Sequence, residues 1–288
     1  MTSTPRSTTA APPRTRVPKT AVVMRTEALS PTMVRVVFTG PDLLSLPELT
    51  FSDHYIKILF PPPGAGYAWP FDPDGVKADL PTELWPVTRT YTIRSFDRAS
   101  GELTVDFVLH GDEGVAGPWA ASARPGAQIG FFGPGGAYVI DPDADAHLLV
   151  GDEAALPAIA ATIEQLPRDA RVEVFLEVAG PEHRQPVPTT SRTTVHWVHR
   201  DVRGLDYGLA LAEAVRASEL PPGRVQAFVH GNAEMVRILR RYFFLEQHLD
   251  RAAVSISGYW RTGHTEDRWQ ATKREFNQAM EADEVVRG

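Results

Sequence analysis

The chain of 288 residues contains no cysteine. That excludes disulfides, thiolate zinc sites, cysteine-held iron–sulfur clusters and cysteine nucleophiles. Its nine histidines form no H-E-x-x-H or related spacing, so no protein-bound metal is expected. No apolar run approaches the roughly 18–20 residues of a membrane span. A G-x-G-x-x-G fingerprint is absent, which excludes a typical Rossmann phosphate loop. Internal repeats at solenoid or propeller periods are absent too. The formal charge is −7, from 29 basic and 36 acidic side chains. General nucleic-acid binding is therefore not expected, although a small basic pocket is compatible with that balance. The first 20 residues are rich in Pro, Ser, Thr and Arg, and lack the apolar core of a secretory signal. They read as a disordered tail, and the location expected is the cytoplasm.

Hydrophobic residues make up 43% of the chain, enough for a sizeable core in one large or two ordinary domains. The chain divides into a strand-rich half and an alternating half. Strands are expected at 21–26, 33–38, 55–60, 90–94, 103–109 and 128–132, punctuated by Gly40-Pro41, Pro61-Pro62-Pro63-Gly64, Ser100-Gly101 and Arg124-Pro125-Gly126. Such punctuation predicts an antiparallel barrel or sandwich. One long loop, from about Pro61 to Pro86, interrupts it. From Ala146 onwards, strands at 147–150, 171–178, 194–198, 225–229 and 254–256 alternate with helices at 156–166, 205–218 and 233–247. That rhythm predicts βαβ units and a parallel sheet, whose ligands lie at the carboxyl ends of the strands. Residues 1–19 are the expected tail, 20–143 the barrel domain, 144–264 the α/β domain and 265–288 a C-terminal helix.

A barrel followed by an α/β domain is the layout of a flavin reductase, so individual residues must carry the argument. A flavin needs positive charge for its pyrophosphate, a flat apolar surface for its ring and hydrogen-bond partners at its edge. Arg89-Thr90-Tyr91-Thr92-Ile93-Arg94 offers all three, because Arg89 and Tyr91 share one face of a strand. The same stretch also reads as a half-buried strand with two solvated arginines. Asp106-Phe107-Val108-Leu109-His110-Gly111 then runs into Gly114-Val115-Ala116-Gly117-Pro118-Trp119. There a glycine-rich turn opens a helix whose N-terminus can meet an anion. These stretches resemble the flavin motifs of the siderophore-interacting protein family. Its members are ferric-siderophore reductases of the ferredoxin–NADP reductase-like superfamily.

Two further stretches share the resemblance. Gly151-Asp152-Glu153-Ala154-Ala155-Leu156-Pro157-Ala158 is similar to the family's Gly-Asp-Glu-Thr-Ala-Leu-Pro-Ala, with Ala154 in place of the threonine. It sits where a dinucleotide phosphate meets a helix start. Asp152 and Glu153 favour the helix N-terminus but not a phosphate beside it, so capping is an equal reading. Ser257-Gly258-Tyr259-Trp260-Arg261-Thr262-Gly263 resembles the family's Tyr-Trp-Lys/Arg motif beside the flavin. His230-Gly231-Asn232-Ala233-Glu234 departs from the family's Ala-Gly-Glu. His183 and Arg184 are open candidates for a 2′-phosphate or for solvated loop residues.

The resemblance implies an N-terminal antiparallel β-barrel that binds FAD, followed by a parallel-sheet α/β domain that binds NADPH or NADH. It implies cofactor contacts from Arg89, Tyr91, Thr92, Arg94, Asp106, Val108, His110, Gly111, Gly117, Pro118, Gly151, Asp152, Glu153, Ala155, Tyr259 and Trp260. It places Lys57 and Arg261 against the ferric siderophore, and no side chain as acid or base. The activity it implies is hydride transfer from a nicotinamide to the flavin, then single-electron reduction of siderophore iron for iron acquisition and homeostasis. A reduced ferredoxin stays open as an alternative donor. Two other readings stay open: a flavin reductase with a different acceptor, and a siderophore-binding or iron-delivery flavoprotein that does not turn over.

Overall fold

The computed structural model describes residues 17–109, 114–204 and 206–287. The first half contains β1 (Lys19–Ser30), β2 (Met33–Thr39), α1 (Pro41–Leu44), β3 (Tyr55–Phe60), α2 (Pro73–Asp79), β4 (Val87–Thr92), β5 (Ser95–Asp97), β6 (Glu102–Val108), α3 (Ala116–Ser122) and β7 (Gln128–Gly135). The strands form one seven-stranded antiparallel sheet in the order β4-β3-β7-β1-β2-β6-β5. Its two end strands, β4 and β5, are separated in the chain only by Ile93 and Arg94. The sheet must therefore curl until its ends meet. The Arg94 N–H duly donates to the Thr104 carbonyl of β6 at 2.9 Å. The result is a barrel.

Alternation along the strands fills its interior. Ile56, Ile58, Phe60, Val36, Phe38, Leu103, Val105 and Phe107 point inward, while Lys57 points out. Trp119 of α3 closes one end of this core, with ring centroids 6.2, 5.7 and 5.9 Å from Phe38, Phe60 and Phe107. Each fully buried ring of this kind stabilises by about 1.5–3 kcal/mol.

The second half contains β8 (Ala146–Asp152), α4 (Leu156–Gln165), β9 (Arg171–Val178), β10 (Arg192–His199), α5 (Arg200–Arg203), α6 (Leu209–Ala217), β11 (Val225–Asn232), α7 (Ala233–Arg241), β12 (Val254–Trp260) and α8 (Glu266–Arg287). The five strands are parallel, in the order β10-β9-β8-β11-β12. Strand order reverses between β8 and β11, which opens a crevice at their carboxyl ends. Strands β8 and β11 are buried along their whole length. Helices cover both faces of such a sheet. Leu156, Ile159 and Ile163 of α4 pack on one face; Leu211, Val215, Met235, Leu239 and Met280 from α6, α7 and α8 pack on the other.

The structure moves several expected boundaries. β4 ends at Thr92, before the expected Arg94, because the chain turns there to reach β6. β8, β11 and β12 run on through Asp152, Asn232 and Trp260, so residues expected in loops are the last residues of strands. The helix expected from 205 begins only at Leu209, after Gly208 at φ 79°. α8 runs from Glu266 to Arg287, and the Thr265 hydroxyl accepts the Arg268 N–H at 3.3 Å at its start.

The long 61–86 connection is ordered by aromatic packing. Trp69 covers Gly130 of β7 and donates to the Thr20 hydroxyl at 3.2 Å, while Tyr67 donates to the Leu84 carbonyl at 2.7 Å. A Cβ on Gly130 would stand 2.2 Å from the Trp69 ring. Gly130→Ala is expected to unseat Trp69 and lower stability by roughly 1–3 kcal/mol. The urea midpoint checks this, and an unchanged midpoint would show that Trp69 does not depend on the bare backbone.

Candidate functional site

β4 pairs with β3 along one edge only. Ile93 donates its N–H to the His54 carbonyl at 2.7 Å, and the antiparallel alternation then turns the backbone groups of Thr88, Thr90 and Thr92 to the free edge. The side chains beside that edge are engaged, not solvated. The Arg89 fork binds Asp267 of α8 at 2.8 and 3.0 Å, with Glu266 at 3.7 Å. The Arg94 fork binds Glu164 of α4 at 2.7 Å through both nitrogens. Tyr91 lies against Phe107 with ring centroids 4.3 Å apart, and burial, aided by the Glu266 charge, raises its pKa. Thr92 is buried beside it.

Other expected contacts are spent within the barrel. Asp106 is buried and takes both nitrogens of Arg35, at 2.7 and 2.9 Å. Val108 pairs with Met33. Gly117 and Pro118 lie in the first turn of α3. His110 and Gly111 fall outside the described residues.

The carboxyl ends of the parallel strands form the second part of the site. Gly151 is needed for close approach: a Cβ there would stand 2.5 Å from Ala155 Cβ and 2.8 Å from the His230 carbonyl. Ala155 is fully buried beneath it. Asp152 is only 2% exposed. It accepts the Asn232 N–H and the Trp260 Nε1–H, both at 2.8 Å, and the Ala154 N–H at 3.0 Å. Burial, then the Glu153 charge, pushes its pKa up to about 7. Glu153 binds Arg200 at 2.7 and 2.9 Å and accepts the Ala179 N–H at 3.2 Å. Both carboxylates tie the sheet's carboxyl edge together.

Three residues that sequence reasoning passed over complete this edge. Glu177 accepts the Gly208 and Leu211 N–H groups at 2.9 and 3.2 Å and meets Arg200 at 3.3 Å. Arg200 lies 4.4 Å over the Tyr207 ring, and Tyr207 meets Trp260 edge-on at 5.0 Å. Burial alone would lower the Arg200 pKa, but the Glu153 hydrogen bond and the charges of Glu153 and Glu177 together outweigh it and raise the pKa. The available signal was position, since Glu177 and Arg200 both stand at carboxyl ends of strands.

His230 stacks on Phe228 at 3.8 Å, shares a hydrogen bond with the Ser255 hydroxyl at 2.9 Å and meets Tyr259 edge-on at 4.9 Å. Burial, then the Lys273 charge, pushes its pKa down to about 3, so the ring is neutral, and its buried Nδ1 has no partner among the described residues. Of the two 2′-phosphate candidates, His183 is used against the barrel, at 2.8 Å from the Thr32 hydroxyl. Arg184 donates to His199 at 2.9 Å.

Lys57 stands exposed on β3, opposite Thr90. Arg261 is not free: it binds Glu234 at 2.9 and 3.1 Å and lies 4.9 Å over Phe276 of α8. α8 thus reaches Arg261. It is seated by Trp269, which fills the notch at Gly258, and by Glu284 against Arg240 and Arg251.

These residues fit a flavin. An arginine fork already takes an anion beside a free strand edge, a half-buried tyrosine supplies a flat surface, and an orphaned ring nitrogen lies at the neighbouring strand ends.

Family comparison agrees with this geometry. A family model described as a siderophore-interacting FAD-binding domain matches residues 22–138, and one described as siderophore-interacting protein matches residues 144–263. The chain belongs to the siderophore-interacting protein family. It is 44% identical over 270 residues to an uncharacterised protein of Mycobacterium tuberculosis, covering 89% of this chain and 95% of that one. It is 34% identical over 254 residues to the ferric vibriobactin reductase ViuB of Vibrio cholerae, covering 88% and 92%. The crystal structure of the siderophore-interacting protein SipS from Aeromonas hydrophila superposes with a TM-score of 0.78 at 30% identity, covering 91% and 99%. The barrel and parallel sheet are thus a ferredoxin–NADP reductase-like pair, and the first carries FAD-binding character. Both family matches end before α8.

The raised pKa of Asp152 makes a pH prediction. A carboxyl near 7 in the fold and near 3.8 when free holds more protons folded than unfolded, so its contribution to stability is full below about 4 and is lost as pH rises through about 7. The stability of Asp152→Asn relative to wild type should therefore rise across that window. Paired urea titrations from pH 4 to 8 check this; a pH-independent difference would show that Asp152 ionises normally.

Proposed function

We propose that the chain is an FAD-dependent ferric-siderophore reductase that draws its electrons from NADH or NADPH. The observation that carries this reading is the junction at β4. Its free edge, with Arg89 and Tyr91, meets the helix that follows the carboxyl end of β12, beside the exposed Lys57. A ferric-siderophore relative at 34% identity, named as a reductase, supports the substrate class.

Bound FAD would supply the redox chemistry, taking hydride from the nicotinamide and passing electrons singly to ferric iron. The chain's own residues hold and orient. Tyr91 and Thr92 support the ring, the β4 backbone meets its edge, and Arg89 offers its fork to phosphate once Asp267 yields. Gly151, Tyr259 and Trp260 frame the nicotinamide side, while Asp152 fixes the Trp260 indole. Lys57 and Arg261 draw an anionic chelate towards the same mouth. His230 is neutral and Asp152 is internally bonded, so neither is assigned a proton step. Ferrous iron binds hard oxygen donors weakly, so reduction releases it.

The test is anaerobic absorbance spectroscopy on the flavin-loaded protein. Addition of NADH or NADPH should bleach the flavin bands, and a ferric tris-catecholate should restore them while a ferrous trap colours. Bleaching without reoxidation by any ferric chelate would indicate another acceptor. A flavin inert to both nicotinamides would overturn the donor assignment. Lys57→Ala should raise KM for the anionic chelate roughly fivefold with kcat little changed, the scale of one solvent-facing charge contact. Steady-state kinetics reads it, and an unchanged KM would remove Lys57 from the pocket.

A further inference from the structure

The Arg89 fork is held from two sides. Its Nη1 donates to the Thr88 carbonyl of its own strand at 2.9 Å, while Nη1 and Nη2 donate to the two Asp267 oxygens at 2.8 and 3.0 Å. The partners are unequally placed: the Arg89 side chain is 13% exposed and that of Asp267 63%. The guanidinium is therefore fixed against β4, and Asp267 lies on its solvent side. Glu266 adds a second carboxylate, with one oxygen 3.7 Å from Arg89 Nε and the other 3.5 Å from the Thr90 nitrogen. The first turn of α8 thus brings anionic oxygens to an arginine fork and to a backbone donor of the free β4 edge. Those are the donors that suit a phosphate. Asp267 and the rest of α8 lie beyond the residues matched by both family models.

Asp267 can leave the fork without unseating the helix. Trp269, two residues on, is buried in the notch at Gly258, and Glu284 is bound by Arg240 and Arg251 at the far end. Asp267 also stands in the first turn of α8, where the helix dipole favours a carboxylate with or without an arginine beside it. Its charge is accommodated both on the fork and off it.

We infer that Asp267 is an affinity-setting residue for the flavin: its carboxylate occupies the Arg89 fork that the FAD pyrophosphate would take, so the cofactor must break this ion pair to bind and is held correspondingly less tightly. The inference rests on the flavin reading of Arg89. Carboxylate and phosphate use the same bidentate geometry, so the fork serves one of them at a time. The exposed pair is the weaker of the two interactions, but its loss is subtracted from what the pyrophosphate gains. Asp267 in turn keeps a poorly solvated guanidinium matched until the cofactor arrives.

FAD dissociation constants are measured on the full-length protein by flavin fluorescence. Asp267→Asn should bind FAD about three- to fivefold more tightly than wild type, the scale of one exposed ion pair. Asp267→Glu, which keeps the charge, should stay within about twofold. The tightening should shrink as salt rises, because an exposed pair is screened. Arg89→Gln should weaken FAD, and in that background Asp267→Asn should shift binding by less than about 1.5-fold, since the shared fork is gone. Thermal melting establishes that each variant is folded. Asp267→Ser, whose hydroxyl suits a helix start, is a second uncharged variant and should tighten FAD in the same way. Equal or weaker FAD binding by the uncharged variants, or the same tightening with and without Arg89, would overturn the inference and leave the flavin reading standing. An FAD affinity unchanged by Arg89→Gln would overturn the flavin reading of Arg89 and the inference with it.

Discussion

The carboxylate of Asp152 holds together the end of the sheet on which everything else is mounted. Parallel strands have no hairpins to align their carboxyl ends, so something must fix where β8, β11 and β12 stop. Asp152 does so by accepting from Asn232, Trp260 and Ala154 while almost wholly buried. The arrangement is electrostatically expensive, because Glu153 and Glu177 lie nearby. Arg200 answers that cost by binding both neighbours, and the satisfied network fixes the Trp260 and Tyr207 rings along the crevice.

The barrel is then set against this sheet at several places. Arg94 and Glu164 join β4 to α4, and Arg89 and Asp267 join the same strand to α8. Ser52 and Thr162 share a buried hydrogen bond at 3.0 Å, and Thr32 meets His183 further along. β4 and the residues after it are thus held through two arginines, five residues apart, by two different helices of the second half. This makes α8 part of the site's architecture. Its seating depends on a notch at Gly258, where a Cβ would stand 2.9 Å from Trp269.

Much of the architecture was legible in the chain. Glycine and proline spacing marked the barrel strands, and the change of rhythm after residue 146 marked the parallel sheet. Inward alternation in Tyr55–Phe60 and the buried run at 147–150 correspond to real strands because burial selects those patterns locally. The jobs of the motifs' charged side chains were not legible. Arg89 finds Asp267 across 178 residues of chain, Arg35 finds Asp106 across 71, and Glu153 finds Arg200 across 47. No periodicity reports such partners.

By itself, the sequence determined the absence of cysteine chemistry, the order of a strand-rich half and an alternating half, and the glycines that permit close backbone approach. Those features follow from composition and local conformational preference, which each stretch carries alone. Only the tertiary structure decided that Asp152 and Glu153 are bonded inward, that His183 belongs to the contact with the barrel and that Arg89 is held by Asp267. Charge pairing acts through space, and it is the fold that sets which charges are neighbours.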